Sequence, residues 1–316
     1  MAQQVTSKLL WLPLLAATLP ADADLDALPY PLWGSPKIDG YRVIGQNDKA
    51  VSRKGIEYRN TALRAMFASR RGQLEGLDGE VCIGPPWAPD VFNRTQNCVN
   101  NGSVEAAEEF RRHGTFHVFG LYDLGGGHAY QGIEQMFECL KRNYARQDKI
   151  RIVPQKLIRN TSQLLSFEAT QLEKGYEGVM LRRSDGPCYP QKLGKENRST
   201  MREFYLVKLK RMEFGEVVIK AAHWLEHNKN EDRTATGARR SVKAGKVTSA
   251  TQVGRVDVLE ITTKAKFSLT VSTNELRNKG MPWWMKQIGK RVRYKYQLTG
   301  TLNAPRICTA TFEELL

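Results

Sequence analysis

Lys37-Ile38-Asp39-Gly40-Tyr41-Arg42 is the stretch on which the reading of this chain turns. Its form is K-x-D-G-x-R, and four fixed residues at that spacing arise by chance in about one chain in 500 of this length. A lysine beside an ordinary Asp-Gly turn is the plain explanation of the hexapeptide alone. The segments downstream of it are harder to dismiss. In order come Ser52-Arg53-Lys54-Gly55, Asp78-Gly79-Glu80-Val81, the aromatic run Phe116 to Leu124 (FHVFGLYDL), Glu177-Gly178-Val179-Met180-Leu181-Arg182 and Lys208-Leu209-Lys210.

Each type of residue suits phosphoryl chemistry. A neutral lysine amine attacks phosphorus to give a phosphoramidate, a bond weak enough to break again. Bringing a free lysine from a pKa near 10.4 to neutrality costs about 4 kcal/mol, which nearby cations such as a bound metal, Lys208 and Lys210 would reduce. Those two lysines are two apart, so on a strand they share a face and both reach one triphosphate. Glu80 and Glu177 offer the hard oxygens that Mg²⁺ takes. Arg42 and Arg53, placed on the two strands of a first hairpin, suit bidentate phosphate contact. Alternation in the aromatic run puts Phe116, Val118 and Tyr122 on one face and His117, Phe119 and Leu121 on the other.

Working outward, the 316 residues suggest two domains, and 41% apolar content excludes wholesale disorder. Lys plus Arg number 48 against 33 acidic residues, a charge of +15 that points to a polyanionic partner, nucleic acid ahead of a membrane surface. Cys82, Cys98, Cys139, Cys188 and Cys308 are scattered without any Cys-x-x-Cys pair, which suits a reducing, cytoplasmic setting rather than a disulfide framework or zinc module. Leu9 to Leu19 (LLWLPLLAATL) imitates a secretory signal but is short and broken by Pro13, so cleavage is not expected. No apolar run has the length of a membrane span. The His113/His117 and His223/His227 spacings lack a third metal ligand nearby, and Gly125-Gly126-Gly127 reads as a turn.

Strand and helix signals alternate up to about residue 210. Tyr41 to Gly45 and Ala50 to Arg53 read as a hairpin, Asn60 to Arg71 as a helix with Leu63, Met66 and Phe67 on one face, and Ser103 as the cap of another. Ile133 to Arg146 and Thr161 to Lys174 give two more helices. After 210 the texture becomes strands. Phe267, Leu269 and Val271 alternate with polar residues, and Val292, Tyr294 and Tyr296 alternate with Arg291, Arg293 and Lys295, which predicts a small antiparallel barrel with one cationic face. Arg233 to Lys246 reads as a mobile basic loop.

The ordered motifs resemble the covalent nucleotidyltransferases, and within them the short bacteriophage-type ATP-dependent DNA ligases, over nearly the whole chain. The resemblance implies an α+β fold: a nucleotidyltransferase (adenylation) domain of antiparallel sheets with flanking helices, residues 1–210, then a C-terminal OB-fold β-barrel, residues 211–316, across a hinge near Arg211 and Met212. It implies that Lys37 takes AMP from ATP, that Lys208 and Lys210 stabilise the phosphates, that Glu177 faces Mg²⁺ (or Mn²⁺), and that Glu80 meets the ribose or a metal-bound water. Tyr122, followed by Asp123, is the first choice for stacking on adenine and Phe119 the second. Ser35 stands where many relatives have an acidic residue, leaving its backbone carbonyl to read the adenine amino group. Arg306 is expected near pyrophosphate, and Arg239, Arg240, Lys243, Lys246 and Arg293 on duplex DNA, with binding that weakens steeply as salt rises.

The implied activity is sealing of 5′-phosphate/3′-hydroxyl nicks in duplex DNA, in replication, repair or recombination, by a monomer away from any membrane. Only 36 residues precede Lys37, fewer than a nicotinamide-binding domain needs, so ATP is the expected donor. An RNA ligase, an mRNA-capping guanylyltransferase and an inactive OB-containing DNA-binding protein are the alternatives.

Overall fold

The computed structural model describes residues 9–123, 128–129, 132–191, 197–231, 239, 242–297 and 305–315. The described residues divide into two compact units, the first running up to Lys210 and the second starting at Arg211. The first contains β1 (Ala17–Thr18), β2 (Leu32–Pro36), β3 (Tyr41–Gln46), β4 (Lys49–Val51), α1 (Thr61–Ala68), β5 (Leu77–Ile83), α2 (Val91–Val99), α3 (Val104–His113), β6 (Gly114–Asp123), β7 (His128–Ala129), α4 (Ile133–Tyr144), β8 (Ile150–Ile152), β9 (Lys156–Ile158), α5 (Thr161–Glu173), β10 (Val179–Arg183) and β11 (Val207–Leu209).

These strands make two sheets. One runs β1-β11-β10-β2-β9, antiparallel except for the parallel β1–β11 edge; the other runs β4-β3-β5-β6-β7 with β8 parallel to β6. The helices form where caps and apolar stripes agree. Asn60 accepts from the Ala62 and Leu63 amides at the start of α1, whose Leu63, Met66 and Phe67 are buried, and Ser103 caps α3 through the Ala106 amide. Asn47 and Asp48 both take positive φ (53° and 56°) between β3 and β4, the conformation a two-residue hairpin turn needs. Helix α2 was not foreseen. Its buried residues, Val91, Thr95, Cys98 and Val99, form too polar a stripe to stand out in sequence.

The signal-like stretch is core. Trp11, Leu14, Ala17 and Leu19 are all buried, Leu15 N donates to Asn197 O at 2.8 Å, and the Trp11 ring stacks on Tyr122 (5.1 Å, 4°) and meets Tyr189 edge-on (5.0 Å). Trp11→Ala is therefore expected to destabilise the first unit by about 3–5 kcal/mol, as for other buried aromatic truncations; chemical denaturation monitored by fluorescence would check this. A change under about 1 kcal/mol would show that the segment is peripheral.

The second unit contains β12 (Glu213–Asn228), β13 (Lys246–Glu260), β14 (Lys266–Thr270), α6 (Asn274–Asn278), α7 (Gly280–Met285), β15 (Arg291–Gln297) and β16 (Arg306–Thr309). The strands form one antiparallel sheet in the order β14-β13-β12-β15-β16. Among the described residues the hydrogen-bonded path stays open rather than closing into a barrel. The expected alternation holds: Val292 and Tyr294 are buried beneath exposed Arg291, Arg293 and Lys295. Residues 233–238, 240 and 241 of the basic loop lie outside the described residues, and Lys243–Gly245 form a 3₁₀ turn that leads into β13. No helix among the described residues is long and apolar enough to cross a membrane.

Candidate active site

A cavity of about 380 Å³ opens in the first unit, lined by residues of both sheets. That is a suitable size for a small ligand. Lys37 enters it directly after β2, its backbone N–H held by Gly178 O at 2.8 Å. Two glycines permit this approach. A Cβ on Gly178, which also has φ of +149°, would strike the Leu209 carbonyl oxygen, and one on Gly40 would strike that of Val81. Both glycines belong to motifs read in the sequence, and both let backbones pass closely at the lysine.

The Lys37 amine is ion-paired with Glu177, which is buried, and the second oxygen of Glu177 takes the Lys210 amine at 3.5 Å. Lys208 lies on β11 opposite Met180 and lines the same cavity. Burial lowers the pKa of its ammonium, and Lys210 and Lys37 lower it further. Glu80, on β5, accepts from the Gly40 amide at 2.8 Å. Burial raises its carboxyl pKa, while Lys37 and Arg42 act in the opposite direction. Two lysines and two carboxylates are thus gathered around the Lys37 amine. Among the described residues no third His, Cys, Asp or Glu completes a ready-made metal cage. A pair of carboxylates suits Mg²⁺, which takes one or two and fills its shell with water and phosphate oxygens.

Arg42 is more committed than its sequence reading suggests. Its Nε and Nη2 grip Asp78 (2.8 and 2.5 Å), and Nη1 donates to Leu14 O at 2.9 Å. Asp78 is fully buried and also accepts from the Tyr189 hydroxyl at 2.8 Å. Burial alone would lower the Arg42 pKa, but Asp78 outweighs it and holds the group above its ordinary value. Three of five donors are spent on the protein, so Arg42 is first a clamp between β3, β5 and the N-terminal segment. Arg53 lines the cavity, but from the Ser52–Gly55 turn beyond β4 rather than from the strand expected for it.

The aromatic choice is reversed. Tyr122 is buried against Trp11, away from the cavity, whereas Phe119 lines it beneath the Arg42 guanidinium, 5.5 Å from the ring centroid. Phe119 shares a face of β6 with His117, which pairs with the cavity-lining Glu80; a bulge follows, with Val118 opposite Gly79 and Gly120 opposite Asp78, and it changes the face of the residues beyond it, Tyr122 included.

Ser35 lines the cavity, but its carbonyl is not the free one. Because Lys37 N bonds Gly178 O and Ser35 sits opposite Met180, antiparallel alternation turns both Ser35 backbone groups toward β10. The carbonyl facing the other way is that of Pro36. Sequence reading also missed Gln155, Arg182 and Tyr58 as lining residues. Arg182 and Asp78 stood inside the ordered motifs and could have been found there; Gln155 had no signal. The side chains of Asp123 and Arg306, and all of Arg240, lie outside the described residues.

In the second unit, Arg239 is exposed and bonds Asn230 O at 2.8 Å, Lys243 is exposed, and Lys246 pairs with Glu226 at 3.1 Å. Arg293 lies over the exposed Phe214 ring at 5.2 Å.

His117, opposite Glu80 on β6, is driven down to a pKa of about 4, mainly by burial and also by Arg151, and its Nε2 is buried with no hydrogen-bond partner among the described residues. The unfolded chain, with an ordinary histidine near 6.5, then binds the proton more readily. Stability from this source is intact above about pH 6.5 and is lost as pH falls toward 4, by about 2–3 kcal/mol. Denaturation midpoints measured from pH 7 to 4 should fall less steeply for His117→Phe; equal slopes would refute the assignment.

No family model and no curated protein matches this chain. Among solved structures, the adenylate form of Chlorella virus DNA ligase is 25% identical, with a TM-score of 0.50 over 90% of this chain and 94% of that one. A Lig E DNA ligase, described as binding DNA with a minimal scaffold, is 18% identical, with a TM-score of 0.64 over 95% of this chain and 97% of that one. The mixed α+β architecture matches these enzymes, and the chain, with Lys37 lining the cavity and ion-paired to Glu177, has the fold of the short ATP-dependent DNA ligases.

Proposed function

We propose that this protein is an ATP-dependent DNA ligase that seals 5′-phosphate/3′-hydroxyl nicks in duplex DNA. The observation that carries the reading is the Lys37 amine held by Glu177 in a cavity that also contains Lys208 and the Phe119 ring. In the first step the Lys37 nitrogen attacks the α-phosphorus of ATP, loses a proton, and forms a phosphoramidate as the bond to the β-phosphate breaks and pyrophosphate leaves. Lys208 and Lys210 balance charge on the α-phosphate and on the leaving pyrophosphate. Phe119 offers its face to adenine. The 5′-phosphate of the nick then takes AMP from the lysine, and attack by the 3′-hydroxyl on that phosphate releases AMP.

Glu80 and Glu177 are the residues that would hold Mg²⁺, which when bound supplies charge neutralisation at the phosphates. The exposed row of Arg291, Arg293 and Lys295, beside Phe214, supports contact with DNA phosphates by the second unit.

The test is incubation with α-labelled ATP and Mg²⁺, followed by addition of a 5′-phosphorylated nicked duplex. Label on the protein that is chased by sealing of the nick is the expected result. Label without DNA sealing, but with joining of RNA ends, would replace the reading with an RNA ligase. Preferential labelling by GTP would point to guanylyl transfer, and no label would overturn nucleotidyl transfer altogether.

A further inference from the structure

Resting on the adenylyl-transfer reading, we infer that Gln155 is the residue that selects the base, its amide oxygen and the Pro36 carbonyl together accepting the two hydrogens of the adenine amino group. Gln155 lies on the turn between β8 and β9, lines the cavity and is half-buried. Two strand registers bring it to the base platform. On one side Val118 pairs with Ile152 and Val153 N donates to Val118 O at 2.8 Å, which sets the turn beside Phe119. On the other, Gly34 pairs with Lys156, so the position two further along β2, Pro36, falls opposite Pro154.

That juxtaposition leaves an acceptor unmatched. Proline has no N–H, so the β2–β9 ladder ends at Gly34 and Lys156, and the Pro36 carbonyl, turned toward β9 by the alternation, meets no donor from Pro154. The Gln155 amide adds a second acceptor. Its Nε2 donates to Val153 O at 3.4 Å, whereas among the described residues its Oε1 takes no hydrogen bond. A carboxamide held by its nitrogen presents its oxygen, and two oxygens at one edge of the cavity suit a group with two N–H donors. Adenine carries such an amino group where guanine carries an oxygen acceptor. Guanine in the same pose would set its oxygen against both acceptors, leaving polar groups desolvated and unpaired.

The experiment compares self-labelling efficiency with ATP, GTP and purine riboside triphosphate, which lacks the amino group, in the wild type, Gln155→Leu and Gln155→Glu. Gln155→Leu is expected to lose about 5- to 10-fold with ATP, the value of one hydrogen bond, and less than about 2-fold with purine riboside triphosphate. Gln155→Glu retains an acceptor oxygen and should retain the preference for ATP over GTP. Equal losses with ATP and with purine riboside triphosphate, or no loss with ATP, would overturn the assignment of Gln155 while leaving adenylyl transfer standing. A wild type that takes no label from any nucleotide would overturn the parent reading and this inference together.

Discussion

Lys37→Ala is expected to abolish the covalent AMP adduct and to reduce sealing of an ordinary nick by about 1,000-fold or more, the scale seen when a covalent nucleophile is removed. The geometry explains why no neighbour substitutes. Lys210 is tied to Glu177, and Lys208 is anchored on β11 between β1 and β10. The variant should fold, because Glu177 keeps Lys210 as a partner after the Lys37 amine is gone. A nick supplied already adenylated should still be closed, since that last displacement needs no lysine nucleophile. Denaturing electrophoresis with labelled ATP reads the first effect and a nicked duplex the second. Labelling of Lys37→Ala at near wild-type level, located to Lys208 or Lys210 by mass spectrometry, would sink the assignment.

Asp78→Ala carries an expected loss of stability as large as that of Trp11→Ala. It removes the only carboxylate hydrogen-bonded to the Arg42 side chain among the described residues, and leaves that cation buried with the Tyr189 hydroxyl also stripped of its acceptor. Breaking a buried pair from one side costs about 3–5 kcal/mol, more than the pair itself contributes, because the remaining charge stays desolvated. For a unit of this size, that lowers the melting temperature by about 10 °C or more. Asp78→Asn preserves two acceptor lone pairs and should fall between. Thermal denaturation of both variants reads the order, and a loss under about 1 kcal/mol for Asp78→Ala would mean that the Leu14 carbonyl and solvent suffice to hold Arg42.

These two residues illustrate what is legible before folding. Lys37 is singled out by its hexapeptide and by the motifs after it, because the proposed nucleophile, its glycines and its acidic partner must all be present at whatever sequence distance the topology allows. Asp78 stands in the motif Asp78-Gly79-Glu80-Val81, yet nothing local shows that its partner is Arg42, 36 residues earlier. The helices α1, α3, α4 and α5 were legible because each carries a cap or an apolar stripe in consecutive residues. The stretch Leu9 to Leu19 was open to misreading for the same reason. Local composition cannot distinguish a signal from a core segment that buries Trp11 against Tyr122.

By itself the sequence determined which chemistry to propose: a candidate lysine, candidate carboxylates, a change of texture near residue 210 and a cationic strand face. Those properties depend on residue type, order and period, all of which are local. Only the tertiary structure decided which aromatic ring faces the cavity, which carbonyl is free there and what occupies Arg42. Phe119 faces the cavity because it shares a face of β6 with His117, which pairs with Glu80, and the Pro36 carbonyl is left without a ladder donor because Pro154, which has no N–H, stands opposite it. Both outcomes come from pairing between strands distant in sequence. Register is a relation between two segments, and neither segment encodes it alone.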